Sequence, residues 1–240
     1  MNSFSIKYQT SDLVPPPFAH AIEINGKIDK NSTLLYEFEI TYLGREDLTE
    51  DEILGEGFSL NDDFSIKGSL PKVWTDHLSD LLKATNPLYL KEINDTQDYW
   101  QIESGDKPFY PAKTERWKTF LEEFQQAAYE DNQWEAPLKI KILRLGDGAK
   151  ERLTIKGSFL NRKLETEVEI NQEKNHKTLK FTELDNLLRK VYGGEYLMEK
   201  ADKKAPSKMG IYVNLGDEIW FEVGKSLMIQ PKKLTSLFEN

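Results

Sequence analysis

Between positions 139 and 163 the chain carries eight cationic side chains, Lys139, Lys141, Arg144, Lys150, Arg152, Lys156, Arg162 and Lys163, against two acids, Asp147 and Glu151. Leu138, Ile140 and Ile142 alternate with Lys139 and Lys141, while Leu153 and Ile155 alternate with Arg152, Thr154 and Lys156. Alternation of this kind marks strands with one dry and one wet face. Lys139, Lys141, Arg152 and Lys156 then share a wet face, where a row of cations can follow a phosphate backbone. The chemistry on offer is capture of a polyanion, single-stranded nucleic acid among them. A structural use competes with it. Glu165, Glu167 and Glu169 alternate with Val168 and Ile170 on the next expected strand, and opposite charges facing across strands stabilise a sheet. Aromatic rings are missing from the basic faces, since Phe159 falls on the apolar side. A charge-paired sheet is the favoured expectation and an open basic groove the alternative. A second basic run, Lys200, Lys203, Lys204 and Lys208, lies in a polar loop and would supplement either.

Other motifs fall short of a chemistry. Gly224-Lys225-Ser226 looks like the end of a phosphate-binding loop, but Ile219 stands where that loop needs its first glycine. The tripeptide also closes an expected strand instead of opening a helix. Counted from Asp47, the acidic stretch breaks a calcium-loop pattern at its glycine position, which is Glu52. Thr49 to Glu52 reads instead as a capping box opening a short helix. His20, His77 and His176 are widely separated, and Gly68-Ser69 and Gly157-Ser158 lack the glycine that completes a nucleophile elbow. With 41 acids in the chain, no single carboxylate pair stands out for acid–base work. The chain has no cysteine, which excludes disulfides, thiolate nucleophiles and cysteine-bound metals. No metal and no cofactor are expected. Of the tryptophans, Trp117 belongs to a helical apolar stripe, and Trp100 and Trp220 read as core anchors. Trp134, in the polar segment from Asp131 to Glu135, is a candidate contact residue, because tryptophan is enriched at binding hot spots.

The elements that must position these residues are mostly strands. Period-2 patterns predict strands over 18–24, 36–42, 138–145, 151–159 and 165–170, with short strands at 211–213 and 219–221. Gly146-Asp147-Gly148 and Gly216-Asp217 supply hairpin turns. Helices are predicted near 73–85, 114–129 and 182–192, from the stripes Leu78/Leu81/Leu82, Trp117/Phe120/Leu121/Phe124 and Leu184/Leu187/Leu188/Val191. The fold class is α+β: two related antiparallel-sheet units, each with a helix packed on one face.

That relation rests on an internal correspondence. Phe38 to Gly44 matches Ile140 to Gly146, the leucine stripe at 78–82 matches that at 184–188, and Tyr89-Leu90 matches Tyr196-Leu197. Trp100 matches Trp220, and Pro111 with Lys113 matches Pro231 with Lys233. A duplication is expected, with the helix at 114–129 joining the copies. The order of elements resembles the duplicated strand–helix layout of whirly-type single-strand-binding folds. It shares no sequence motif with them and carries no functional residues across.

At 240 residues the chain has room for one large domain or two small ones. The expected division is a lead-in over 1–17, an acidic unit over 18–130 and a mildly basic unit over 131–240. Residues 1–130 hold 12 basic and 24 acidic side chains, a net of −12, whereas residues 131–240 hold 20 and 17, a net of +3. Only the second half can meet an anionic partner without net repulsion. No apolar run approaches the ~18 residues of a membrane span, and the first ten residues lack a signal-peptide core. The expectation is a cytoplasmic protein without a membrane partner. Its function is expected to be non-catalytic binding or scaffolding of an unknown partner. The alternatives are polyanion binding by the second half, or a small-molecule or catalytic pocket between the units. A protein partner or a homodimer fits an antiparallel sheet whose edge strands need cover.

Overall fold

The computed structural model describes residues 3–89, 94–105, 107–146 and 148–238. The chain divides into two compact units, Met1–Glu135 and Ala136–Asn240. In the first, β1 (Ser3–Gln9), β2 (His20–Ile28), β3 (Leu34–Tyr42), α1 (Glu50–Gly55), β4 (Phe64–Leu70), α2 (Lys72–Ala84), β5 (Pro87–Leu88), β6 (Tyr99–Glu103), β7 (Tyr110–Pro111) and α3 (Glu115–Asp131) follow one another. A five-stranded antiparallel sheet runs in the order β4-β3-β2-β1-β6. Its register lines up Ile6, Ile24 and Phe38 on one face with Ile66 and Ile102. The helices cover that face with Trp74, Leu78 and Leu81 from α2 and Trp117, Phe120 and Phe124 from α3, all buried. Phe124 sits at the centre, edge-on to Tyr36 at 5.3 Å and to Trp74 at 5.6 Å. As expected, α1 opens on a capping box in which Thr49 and Glu52 satisfy each other's backbone donors.

The C-terminal end of α3 is fastened to the sheet by a half-buried polar knot. Asp131 accepts hydrogen bonds from the Tyr36 hydroxyl at 3.0 Å and the Ser69 amide at 2.9 Å, while Asn132 donates to the Tyr36 oxygen at 2.9 Å. Burial, then the Asp131 carboxylate, pushes the Tyr36 phenol far above its ordinary value, so it stays a donor. Gly68 makes the knot fit, because a Cβ there would meet the Asp131 Oδ2 at 2.0 Å.

The second unit comprises β8 (Leu138–Leu145), β9 (Lys150–Ser158), β10 (Lys163–Ile170), β11 (Glu173–Leu179), α4 (Leu184–Tyr192), β12 (Glu195–Tyr196), β13 (Gly210–Asn214), β14 (Phe221–Glu222), β15 (Leu227–Met228) and α5 (Pro231–Thr235). Its sheet runs β11-β10-β9-β8-β13-β14. Ile140, Ile142, Leu153, Ile155, Leu164 and Val213 point from the sheet into a core closed by Leu184, Leu187 and Val191 of α4 and Leu234 of α5. No helix among the described residues is long and apolar enough to cross a membrane.

The two sheets share one connectivity. Each is a meander of four antiparallel strands, followed by a helix, then a strand that returns beside the first. The leucine stripes at 78–82 and 184–188 lie on the equivalent helices α2 and α4. Two of the other correspondences do not survive. Phe38 to Gly44 begins on the third strand of its meander, whereas Ile140 to Gly146 begins on the first. Trp100 lies on the returning strand β6 and is 1% exposed, whereas Trp220 precedes β14 and lies outside the core. The Leu90 half of the Tyr-Leu match and the Asp147 of the first hairpin lie outside the described residues.

Three further expectations change. Residues 3–9, assigned to a lead-in, form β1, whose alternation Phe4, Ile6, Tyr8 is short but places it inside the sheet. The helix near 114–129, expected to join two copies, belongs to the first unit and packs on its sheet, just ahead of the boundary at Glu135. β4 and β11 went unpredicted, and β11 is legible only by its position, since Glu173 to Thr178 are all exposed.

Phe124→Ala should cost about 3–5 kcal/mol in urea unfolding, since it empties the centre of the aromatic layer. Gly68→Ala should cost about 1–3 kcal/mol by overpacking the Asp131 knot. A Gly68→Ala variant as stable as wild type would mean that the knot is not rigid.

Candidate polyanion interface

The outer face of the second sheet is built by the pairing of β8 with β9. Lys139 lies opposite Lys156, Lys141 opposite Thr154, and Leu143 opposite Arg152. The four candidate cations therefore do share one face, because their partners Ile140, Ile142, Leu153 and Ile155 are committed to the core. Lys150 joins them one step along β9. On the far side β10 presents Glu165 opposite Lys156 and Glu169 opposite Arg152.

The charge pairing across this boundary is partial. Arg152 meets Glu169 at 3.2 Å. Glu167 is engaged instead from the other side, by Lys174 at 2.9 Å and His176 at 3.5 Å, both on β11. Glu165 meets Lys163 at 2.6 Å. Among the described residues, Lys139, Lys141, Lys150 and Lys156 have no carboxylate within ion-pair distance. Hydrogen bonds, from Lys163 to Glu165 and from Lys174 to Glu167, hold both carboxyls below their ordinary range, with the Lys156 charge a smaller contribution.

A loop turns this face into a depression. The backbones of Asp202 and Trp220 pair in both directions, at 3.0 and 2.8 Å. The Tyr212 hydroxyl donates to the Lys208 carbonyl at 3.1 Å, tying the following residues down to β13. Ala205 and Pro206, between these ties, form one wall with Trp220, and the enclosed volume is about 340 Å³ above Lys139, Lys141, Lys150, Arg152 and Lys156. Lys203, Lys204 and Lys208 belong to the same loop and are exposed. Glu167 is the one carboxylate among the residues that line the depression.

Trp220 is the residue that sequence reasoning placed elsewhere, and its signal was present. Ile219 packs against the core and Phe221 lies within it, so period-2 geometry sends Trp220 to the opposite side. The absence of aromatics from the basic face, expected from the strands around 138–159 alone, is thereby corrected. Trp134 is 54% exposed, its ring stacked on Tyr129 at 5.7 Å and edge-on to Phe64 at 5.1 Å. It belongs to the first unit, although only five positions separate it in sequence from Lys139.

The outer face of the first sheet differs in sign. Its ion pairs Lys67–Glu37, at 3.0 Å, and Lys7–Glu23, at 3.9 Å, leave Glu39 in the same rows. Residues 1–135 carry 12 basic and 26 acidic side chains, whereas 136–240 carry 20 and 15. Elsewhere, Gly224-Lys225-Ser226 forms the turn before β15, where the Ser226 hydroxyl accepts from the Glu222 amide at 2.7 Å. Among the described residues no cluster of His, Asp and Glu side chains is placed to hold a metal. Comparison with protein-family models, curated proteins and solved structures finds no match to this chain.

The lowered carboxyls give a pH test with a definite sign. Their folded values lie below their unfolded ones, so the stability they add is present above about pH 4.5 and fades as pH falls through the lowered folded values. A Glu165→Gln/Glu167→Gln variant should be slightly less stable than wild type at pH 7, and the gap between their urea midpoints should narrow as the pH falls below about 4.5. A gap that widens on acidification would contradict the assignment.

Proposed function

We propose that this is a non-catalytic binding protein whose second unit captures a polyanion on the β8–β9 face. One observation carries the reading: lysines that have no carboxylate partner among the described residues line a depression whose neighbouring glutamates are engaged by Arg152, Lys163 and Lys174. Four such lysines on a rigid sheet repel one another, and that repulsion is relieved when anionic groups displace the counterions they hold. The excess of 20 basic over 15 acidic side chains in residues 136–240 favours approach of a polyanion to this unit. The carboxylate in the lining, Glu167, is engaged by Lys174, which favours binding over acid–base chemistry at this face. The connectivity common to the two sheets supports a duplicated origin, after which only one copy acquired the basic outer face. The lack of cysteine supports a reducing, cytoplasmic setting.

The full-length chain should be retained on immobilised heparin at about 50 mM salt, with a log–log salt slope of roughly −2 to −4, as release of a few counterions requires. Lys139→Glu/Lys141→Glu should abolish retention while leaving the thermal midpoint within a few degrees, because both side chains lie on the outer face. A wild-type protein that passes through at low salt, or a slope near zero, would refute the reading.

A further inference from the structure

From the placement of Trp220 we infer that the polyanion is a single-stranded nucleic acid, held by its phosphates on Lys139, Lys141 and Lys156 with one base stacked against the Trp220 ring. The inference rests on the polyanion reading above and narrows it. Three observations carry it. First, Trp220 lines the same depression as the lysines, so an aromatic side chain and cations without a carboxylate partner among the described residues border one space of about 340 Å³. That pairing of charge with a π surface suits a nucleotide, whereas a sulfated glycan offers charge without an aromatic face. Second, the backbone that carries the ring is set before any ligand arrives. The Trp220 backbone is bonded to Asp202 through both its amide and its carbonyl, and its neighbours Ile219 and Phe221 are anchored on the core side. A stacking platform held in this way loses little freedom on binding. Third, the site lies on the face of a six-stranded sheet. At about 4.8 Å between strands such a sheet is roughly 24 Å wide and cannot enter a major groove about 12 Å across. A duplex, with its bases stacked inside, would reach the lysines and leave Trp220 unused. DNA and RNA single strands share the recognised chemistry, which is a charged backbone carrying bases with open faces.

The test compares four probes on the full-length chain at one low salt concentration: oligo(dT) and oligo(U) of about 15 nucleotides, a duplex of the same length, and heparin. Wild type should bind at least one single strand several-fold more tightly than the duplex, and the stronger of the two identifies the sugar. Trp220→Leu should weaken that single strand by roughly 5- to 100-fold, the range expected for loss of one stacked base, and leave heparin within about twofold. Trp220→Phe, which keeps a flat ring, should recover most of the loss. Wild-type fluorescence should be quenched by the oligonucleotide, and the quench should shrink in Trp220→Phe. Heparin binding with no preference for single strands, or a Trp220→Leu variant that weakens both ligands alike, overturns this inference and leaves the polyanion reading standing. Failure of wild type to bind any of the four probes overturns the polyanion reading itself.

Discussion

Each sheet of this protein has one face committed to helices, and that commitment governs everything on the other face. Ile140, Ile142, Leu153 and Ile155 must lie under α4 and α5, so a slip of one residue would expose the first two if it occurred in β8, or the last two if in β9, and bury cations in their place. Burial of four such side chains is worth on the order of 6–12 kcal/mol, comparable to the whole stability of a domain. No arrangement of surface charge can compete with that. The outer face is therefore a surface whose side-chain positions are fixed by hydrophobic burial and whose chemistry is free to vary.

The two units use that freedom differently. In the first, the outer face is a mixture in which lysines are answered by glutamates, as Lys67 is by Glu37. In the second, the signs separate. β8 and β9 carry the cations, β10 carries the acids, and β11 supplies Lys174 and His176 to hold Glu167. β11 is an edge strand with hardly any buried surface, and the cross-strand ion pairs both fix it in register and draw Glu167 away from the lysines. A lone edge strand of this composition would also resist pairing with another chain, since lysines along an edge discourage it.

Inside the first unit the energetics are dominated by aromatic packing. Trp74, Trp117, Phe120 and Phe124 form a continuous layer between helices and sheet. Such a layer is stiff, and the Asp131–Tyr36–Asn132 knot at its end fixes where α3 stops. Gly68 shows the limit of composition-based reasoning: in sequence it is a glycine inside an alternating strand, and only the approach of Asp131 explains why no larger residue fits.

What the amino-acid order determined by itself was local and periodic. The alternation around 138–159 put Lys139, Lys141, Arg152 and Lys156 on one face, and the leucine and aromatic stripes located α2, α3 and α4, because burial acts on neighbours two, three or four residues apart. Strand partners, loop paths and the fate of each charge were decided by the tertiary structure. β11 has no apolar alternation to announce it, the loop at 201–208 returns over the sheet through the Asp202–Trp220 pairing, and the acids that could have neutralised the lysines are claimed by Lys163, Lys174 and His176. Those outcomes depend largely on contacts between residues far apart in sequence, such as Ser5 with Glu103 and Lys141 with Asn214, whose energies are each small and are chosen only once the dry faces have closed.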